Sequence, residues 1–113
     1  MTDELMMGID AGTSRVRVLV FEMDGTIVAE GSSEPTVHRP CLGWASTEAE
    51  DLWGSCLKAI KMATAKIDKP HRIRSIAVAS VGEAAVPLDK KGNPLYPIIA
   101  WYDSRTGPQA NWL

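Results

Sequence analysis

Between Arg15 and Met23 the chain alternates with a period of two, and this stretch constrains the fold most tightly. Val16, Val18 and Val20 fall on one side of an extended backbone, with Arg17, Leu19 and Phe21 on the other. The segment predicts a half-buried strand, and its neighbours extend the pattern. Leu5 to Ile9 is an apolar run of strand length, Asp24-Gly25 is a hairpin signal, and Thr26 to Glu30 reads as the returning strand. The chain should therefore open as an antiparallel meander, followed by a polar loop from about Gly31 to Ser46.

A helical period comes next. Trp53, Cys56, Leu57, Ile60, Ala63 and Ile67 predict an amphipathic helix of roughly five turns with Trp53 in the core. Thr47-Glu48-Ala49-Glu50 fits a capping box at its head, and Lys69-Pro70 lies beyond its end. Ile73 to Val81 is a largely apolar run of strand length, which predicts a strand covered on both faces. Ala84 to Leu88 reads as a further extended segment, Asp89 to Gly92 as a turn, and Pro94 to Trp101 as a proline-punctuated stretch. Thr106 is placed to cap a last helix whose first turn suits Gly107 and Pro108. Only a few residues follow, whereas an isolated helix needs about 12 or more. The expectation is an incomplete domain over residues 1–113 that stops inside an element.

Composition closes off several functions. The net charge is -2 over 113 residues, with no Lys/Arg block, which argues against a nucleic-acid surface. No apolar run approaches the roughly 20 residues of a membrane span. The acidic start, Thr2-Asp3-Glu4, does not resemble a signal peptide. Cys41 and Cys56 lack metal-ligand spacing and suit a cytoplasmic protein, and His38 and His71 read as surface or loop residues.

Three segments could carry chemistry. In Gly8-Ile9-Asp10-Ala11-Gly12-Thr13-Ser14 a strand delivers a carboxylate to a glycine turn with two hydroxyls. Gly12 would let backbone amides approach a phosphate, Thr13 and Ser14 could bond its oxygens, and Asp10 could hold Mg²⁺. Arg17 could reach an anion or simply face solvent. The alternative is a tight hairpin whose aspartate caps its own turn. Ser80-Val81-Gly82-Glu83 places a carboxylate after an apolar strand, suited either to ligand hydroxyls or to water. Trp101-Tyr102-Asp103-Ser104-Arg105 could line a carbohydrate pocket; equally, Trp101 could be core, with Asp103 and Arg105 forming a local ion pair. A fourth segment, Glu22-Met23-Asp24-Gly25-Thr26, resembles the opening motif of haloacid-dehalogenase-type phosphatases. Glu22 stands there in place of the nucleophilic aspartate, and Asp24-Gly25 falls where a hairpin turn is wanted.

In their order and spacing, these pieces resemble the first quarter of the FGGY carbohydrate kinases, over essentially the whole chain. The resemblance rests on Gly8 to Ser14 with Arg17, on Gly43-Trp44 through Glu50-Asp51-Leu52-Trp53, on Val81-Gly82-Glu83 with Asp89, and on Pro97 to Thr106. It implies an α/β, ribonuclease-H-like fold of the actin-like ATPase type, with ATP and a sugar or polyol meeting between two domains. Asp10 would serve the Mg²⁺ of ATP, and Gly12, Thr13 and Ser14, with Arg17, the nucleotide phosphates. Glu83, Trp101 and Asp103 would face the substrate. Gly82 stands where glycerol kinase has an arginine gripping glycerol, which favours a larger polyol or ketose. Ser46 replaces a usual acidic residue. The catalytic base would lie in the remainder of the kinase chain, so residues 1–113 alone are expected to be inactive. A freestanding binding module is the rival reading, predicting a closed core and no exposed apolar edge; a homodimer could cover such an edge.

Overall fold

The structure, a computed structural model, describes residues 3–113. Three strands, β1 (Leu5–Ala11), β2 (Val16–Glu22) and β3 (Ile27–Ser33), form the expected antiparallel meander. Its second turn is tight. Gly25 takes a φ of 91° and donates to the Glu22 carbonyl at 3.0 Å, while the Thr26 amide donates to Asp24 Oδ1 at 2.9 Å. Hydrogen bonding from Thr26 holds the Asp24 carboxyl below its usual range. Glu22 is the last residue of β2 and Asp24 lies in the hairpin turn it closes, so the two carboxylates do not sit together at a strand tip as the phosphatase reading requires.

Helix α1 (Ala49–Thr64) and a 3₁₀ turn at Pro70–Arg72 lead into β5 (Ile73–Ser80), which lies parallel to β1. The sheet order is thus β3-β2-β1-β5. Two short strands, β4 (Ser46–Thr47) and β6 (Ile98–Ile99), pair separately, and α2 (Gly107–Ala110) follows. No helix among the described residues is long and apolar enough to cross a membrane.

The core forms where α1 meets the meander. Leu5, Met7, Val16, Val18 and Val20 are buried with Ala29, Ala59 and Ala63. Burying each of the larger side chains contributes roughly 1.5–3 kcal/mol. The helix is phased differently from expectation, because small residues set its closest approach. Gly31 of β3 lies directly beneath α1, where an added Cβ would collide with the Ala59 carbonyl oxygen. Ser55, Ala59 and Ala63 therefore face the sheet, flanked by Leu52, Cys56 and Ile60. This rotation turns Trp53 out to 57% exposure, so it is not a core residue.

Other local expectations change as well. Thr47 pairs with Ile98 in the small sheet, so α1 begins after Glu48 and has no side-chain cap. Glu50 and Asp51 still favour its first turn through the helix dipole. Thr106 precedes α2 but makes no capping bond. Ala84 to Leu88 forms no strand, only a single bridge from Leu88 to Pro94 around the Asp89 turn. Most consequentially, β5 is exposed, with Val78 at 67%, because α1 packs over β2 and β3 and leaves β5 at the sheet edge. A strand covered on both faces is not what these residues form. That open apolar edge also lacks the closed core a freestanding module requires. The radius of gyration, 17.2 Å, exceeds the roughly 13 Å of a compact chain this long.

Candidate functional site

The turn after β1 is built around Gly12. Its amide donates to the Arg15 carbonyl at 3.0 Å, and a Cβ at Gly12 would sit 2.9 Å from that oxygen. Only glycine fits without displacing backbone. Thr13 is half-buried and Ser14 exposed, so both hydroxyls stand at the rim of the turn. On the α1 side the turn opens into a cleft of about 220 Å³. Gly12 and Thr13 form one wall; Ser80, Val81, Ile99 and Trp101 are among the others.

Asp10 is the exposed penultimate residue of β1, while its neighbour Ala11 is buried. The pleat therefore directs Asp10 to the sheet face away from α1, opposite Arg17 on β2. Both line a shallow depression there with Gly8, Leu19 and Phe21. Carboxylate and glycine turn thus adjoin in sequence but border different hollows at the end of one strand.

Glu83, Trp101 and Asp103 line a third hollow with Val86, Tyr96 and Thr106. Glu83 is exposed just beyond β5, and the space beside Gly82 is open, with nothing within 4 Å of where a Cβ would stand. Trp101 is 60% exposed and borders both this hollow and the cleft at Gly12. It meets Tyr102 edge to face, ring centroids 5.3 Å apart.

Asp103 has a different setting from its neighbours. Its side chain is 0% exposed. Arg105 donates from Nε to Oδ1 at 2.9 Å and from Nη2 to Oδ2 at 2.8 Å, a two-pronged ion pair. The Arg105 amide adds a bond to Oδ1 at 2.8 Å, and the Ala45 amide one to Oδ2 at 2.5 Å. The Arg105 guanidinium holds the carboxyl far below the usual range, against the opposing effect of burial. The structure takes a part of each sequence reading: Asp103 and Arg105 form the local ion pair, but Trp101 is exposed instead of core, and Asp103 borders the same hollow as Glu83. Arg105 also lies 4.2 Å over the Trp44 ring and donates to Tyr96 Oη at 3.2 Å.

Sequence reasoning passed over the other half of this contact. The Ala45 carbonyl accepts from the Ala100 amide, and the Gly43 carbonyl from the Ser104 amide, both at 2.9 Å. Gly43 takes a φ of 79°, and a Cβ there would strike the Ser104 hydroxyl. Only that positive-φ glycine carried a signal; Ala45 had none, since its role is played by backbone. Ser46 is buried, its backbone shared between Ile99 and His38. His38 is exposed and lies 3.1 Å from Asp51 on α1; His71 is also exposed.

Comparison with known proteins gives a consistent result. Residues 5–113 match the FGGY family of carbohydrate kinases, N-terminal domain. The chain is 34% identical over 114 residues to a glycerol kinase of Saccharolobus islandicus, covering 100% of this chain and 23% of that protein. Among solved structures, a xyloylose kinase from Brucella ovis matches with a TM-score of 0.91 at 28% identity, over 96% of this chain and 23% of that one. A xylulose kinase from Rhodospirillum rubrum gives 0.87 at 26% identity, over 96% of this chain and 22% of that one. The α/β arrangement is therefore that of the actin-like ATPase fold. The chain spans just under a quarter of the length of these relatives.

Proposed function

The chain belongs to the FGGY family of carbohydrate kinases, and on that premise we propose that its parent enzyme transfers the γ-phosphate of ATP to a hydroxyl of a ketose or polyol larger than glycerol. The observation that carries this reading is the double position of Trp101. It borders the cleft of the Gly12-Thr13 turn and the hollow of Glu83, so a phosphate-type turn and a hydroxyl-binding carboxylate share one aromatic wall.

Each residue then has a physical task. Amides of the turn beyond Gly12, whose own amide is taken by Arg15, and the hydroxyls of Thr13 and Ser14 bond phosphate oxygens, while Arg17 adds positive charge beside Asp10 on the other side of the sheet. Glu83 accepts from sugar hydroxyls, while Trp101 covers the apolar face of the sugar ring. Asp10 would hold Mg²⁺ together with water and phosphate oxygens, the usual way this ion is bound. When bound, the ion offsets charge at the transferred phosphoryl group.

Gly82 supports the larger substrate. The space beside it is open, so a side chain would have room there, and the glycine leaves that room and its donors out of the neighbourhood of Glu83. Phosphoryl transfer needs positioning by several parts together, including a base for the acceptor hydroxyl. We place that base in the remainder of the kinase chain, and residues 1–113 alone should give no appreciable turnover.

ADP release by the intact parent, measured over ketoses and polyols, is the test. Turnover on a larger sugar in preference to glycerol is expected, with none by the 113-residue chain. An intact, folded parent inactive on every sugar would overturn the reading. Gly82→Arg should lower kcat/KM for the larger sugar by about 10-fold and raise it for glycerol.

A further inference from the structure

Asp103 is the one buried residue beyond Ala63 among those described, and one of the bonds to its carboxylate comes from a segment 58 positions away. The geometry explains what such a charge is for. The Asp103 amide donates to the Ala100 carbonyl at 2.9 Å, closing a four-residue turn with Trp101 and Tyr102 at its tip. Both ends of that turn hold the same residue. At one end the Ala100 amide donates to the Ala45 carbonyl; at the other, the Asp103 carboxylate accepts from the Ala45 amide. Arg105 then locks the carboxylate rotamer from behind with its two-pronged bond, itself held between Trp44 and Tyr96. On the far side Arg39 lies over the Tyr102 ring at 5.6 Å and donates to Tyr102 Oη at 3.2 Å.

We propose that Asp103 and Arg105 are positioning residues, an ionic clamp that fixes the Trp101–Tyr102 turn against Ala45 and so sets the pose of Trp101 toward the sugar. This rests on the reading of Trp101 as the sugar-facing wall. Trp101 is mostly exposed and has little packing of its own to fix it. Its pose must come from the backbone beneath it, and the backbone from the clamp. A shielded carboxylate with both oxygens occupied has no free lone pair suited to a sugar hydroxyl, so its action is indirect. Arginine fits the task better than lysine, because only the planar guanidinium engages both oxygens at once.

The test uses the intact parent labelled with 5-fluorotryptophan, the Trp101 line being identified by its loss in Trp101→Phe. In Asp103→Asn and, independently, in Arg105→Lys, that line should shift or broaden. The kcat/KM for the sugar should fall by about 10- to 100-fold, as for a reacting group displaced by about an ångström. The KM for ATP should stay within about twofold, a split that general destabilisation would not produce. In Arg105→Ala, added guanidinium should restore sugar KM. An unmoved Trp101 line, or an unchanged sugar kcat/KM in both clamp variants, overturns the clamp even if Trp101→Phe is impaired. If Trp101→Phe itself leaves sugar kinetics unchanged, the sugar-wall reading fails, and the clamp's proposed purpose fails with it.

Discussion

Among the described residues every buried hydrophobic side chain lies at or before Ala63, whereas the one buried side chain after it is the charged Asp103. The two halves of the chain are thus organised by different forces. In the first, Val16, Val18 and Val20 meet α1 in a dry core that tolerates little change of volume. In the second, an ion pair and a few backbone bonds hold exposed aromatics in place. Apolar burial is non-directional and supplies stability; hydrogen bonds to a charged group are directional and supply geometry. The difference teaches that the half carrying Glu83 and Trp101 is organised for placement of side chains more than for bulk stability.

Matched substitutions break that comparison most sharply. Val18 and Val78 are both apolar strand residues, yet one is 0% and the other 67% exposed. Val18→Asp should cost at least about 3 kcal/mol by stranding a carboxylate in the core, and Val78→Asp about 0.5 kcal/mol or less. Denaturant midpoints of the 113-residue chain measure both, and equal losses would erase the distinction. Gly31→Ala comes next. Its methyl group must push α1 away from β3, at roughly 1–3 kcal/mol by the same measurement.

Acid should separate the halves by mechanism. Arg105 lowers the folded-state value of Asp103 below its ordinary 3.8, so the clamp's contribution is complete above that pH. It fades as the pH falls through the lower folded value. The Ala45 amide proton, bonded to that carboxylate, should titrate in NMR with a midpoint clearly below 3.8 while the Val18 amide stays still. A midpoint at 3.8 would mean that the pair is open in solution. The smallest effect belongs to Trp53→Ser, within about 0.5 kcal/mol despite the size of the side chain removed, because Trp53 faces solvent.

Legibility in the sequence follows the same divide. The valine alternation and the Asp24-Gly25 turn suffice for the meander, since period-two patterning and turn chemistry are local. Helical spacing announces α1 but not its rotation. Six residues, Trp53 and Leu57 among them, suggest one apolar face, while the closest contact is set by Ser55, Ala59 and Ala63 above Gly31, a fit visible only in three dimensions. The capping box fails for a related reason, since Thr47 is drawn into pairing with Ile98, far along the chain. Beyond β5, an apolar run reads as buried because composition reports what a strand could cover, not what covers it. In the site, the tight turn at Gly12 was legible from its glycine, and the hydroxyls of Thr13 and Ser14 follow it. The spacing of Asp103 and Arg105 left two readings open. Nothing in the sequence marked Ala45 as the partner that distinguishes them.

The most direct test of the phosphoryl-transfer account is the rate of ADP release by the intact parent kinase carrying Asp10→Asn, with its sugar at saturation. The account predicts a fall in kcat of about 100-fold or more, as for loss of charge stabilisation at a transferred group, with sugar KM little altered. A kcat within about twofold of the unaltered enzyme would contradict it.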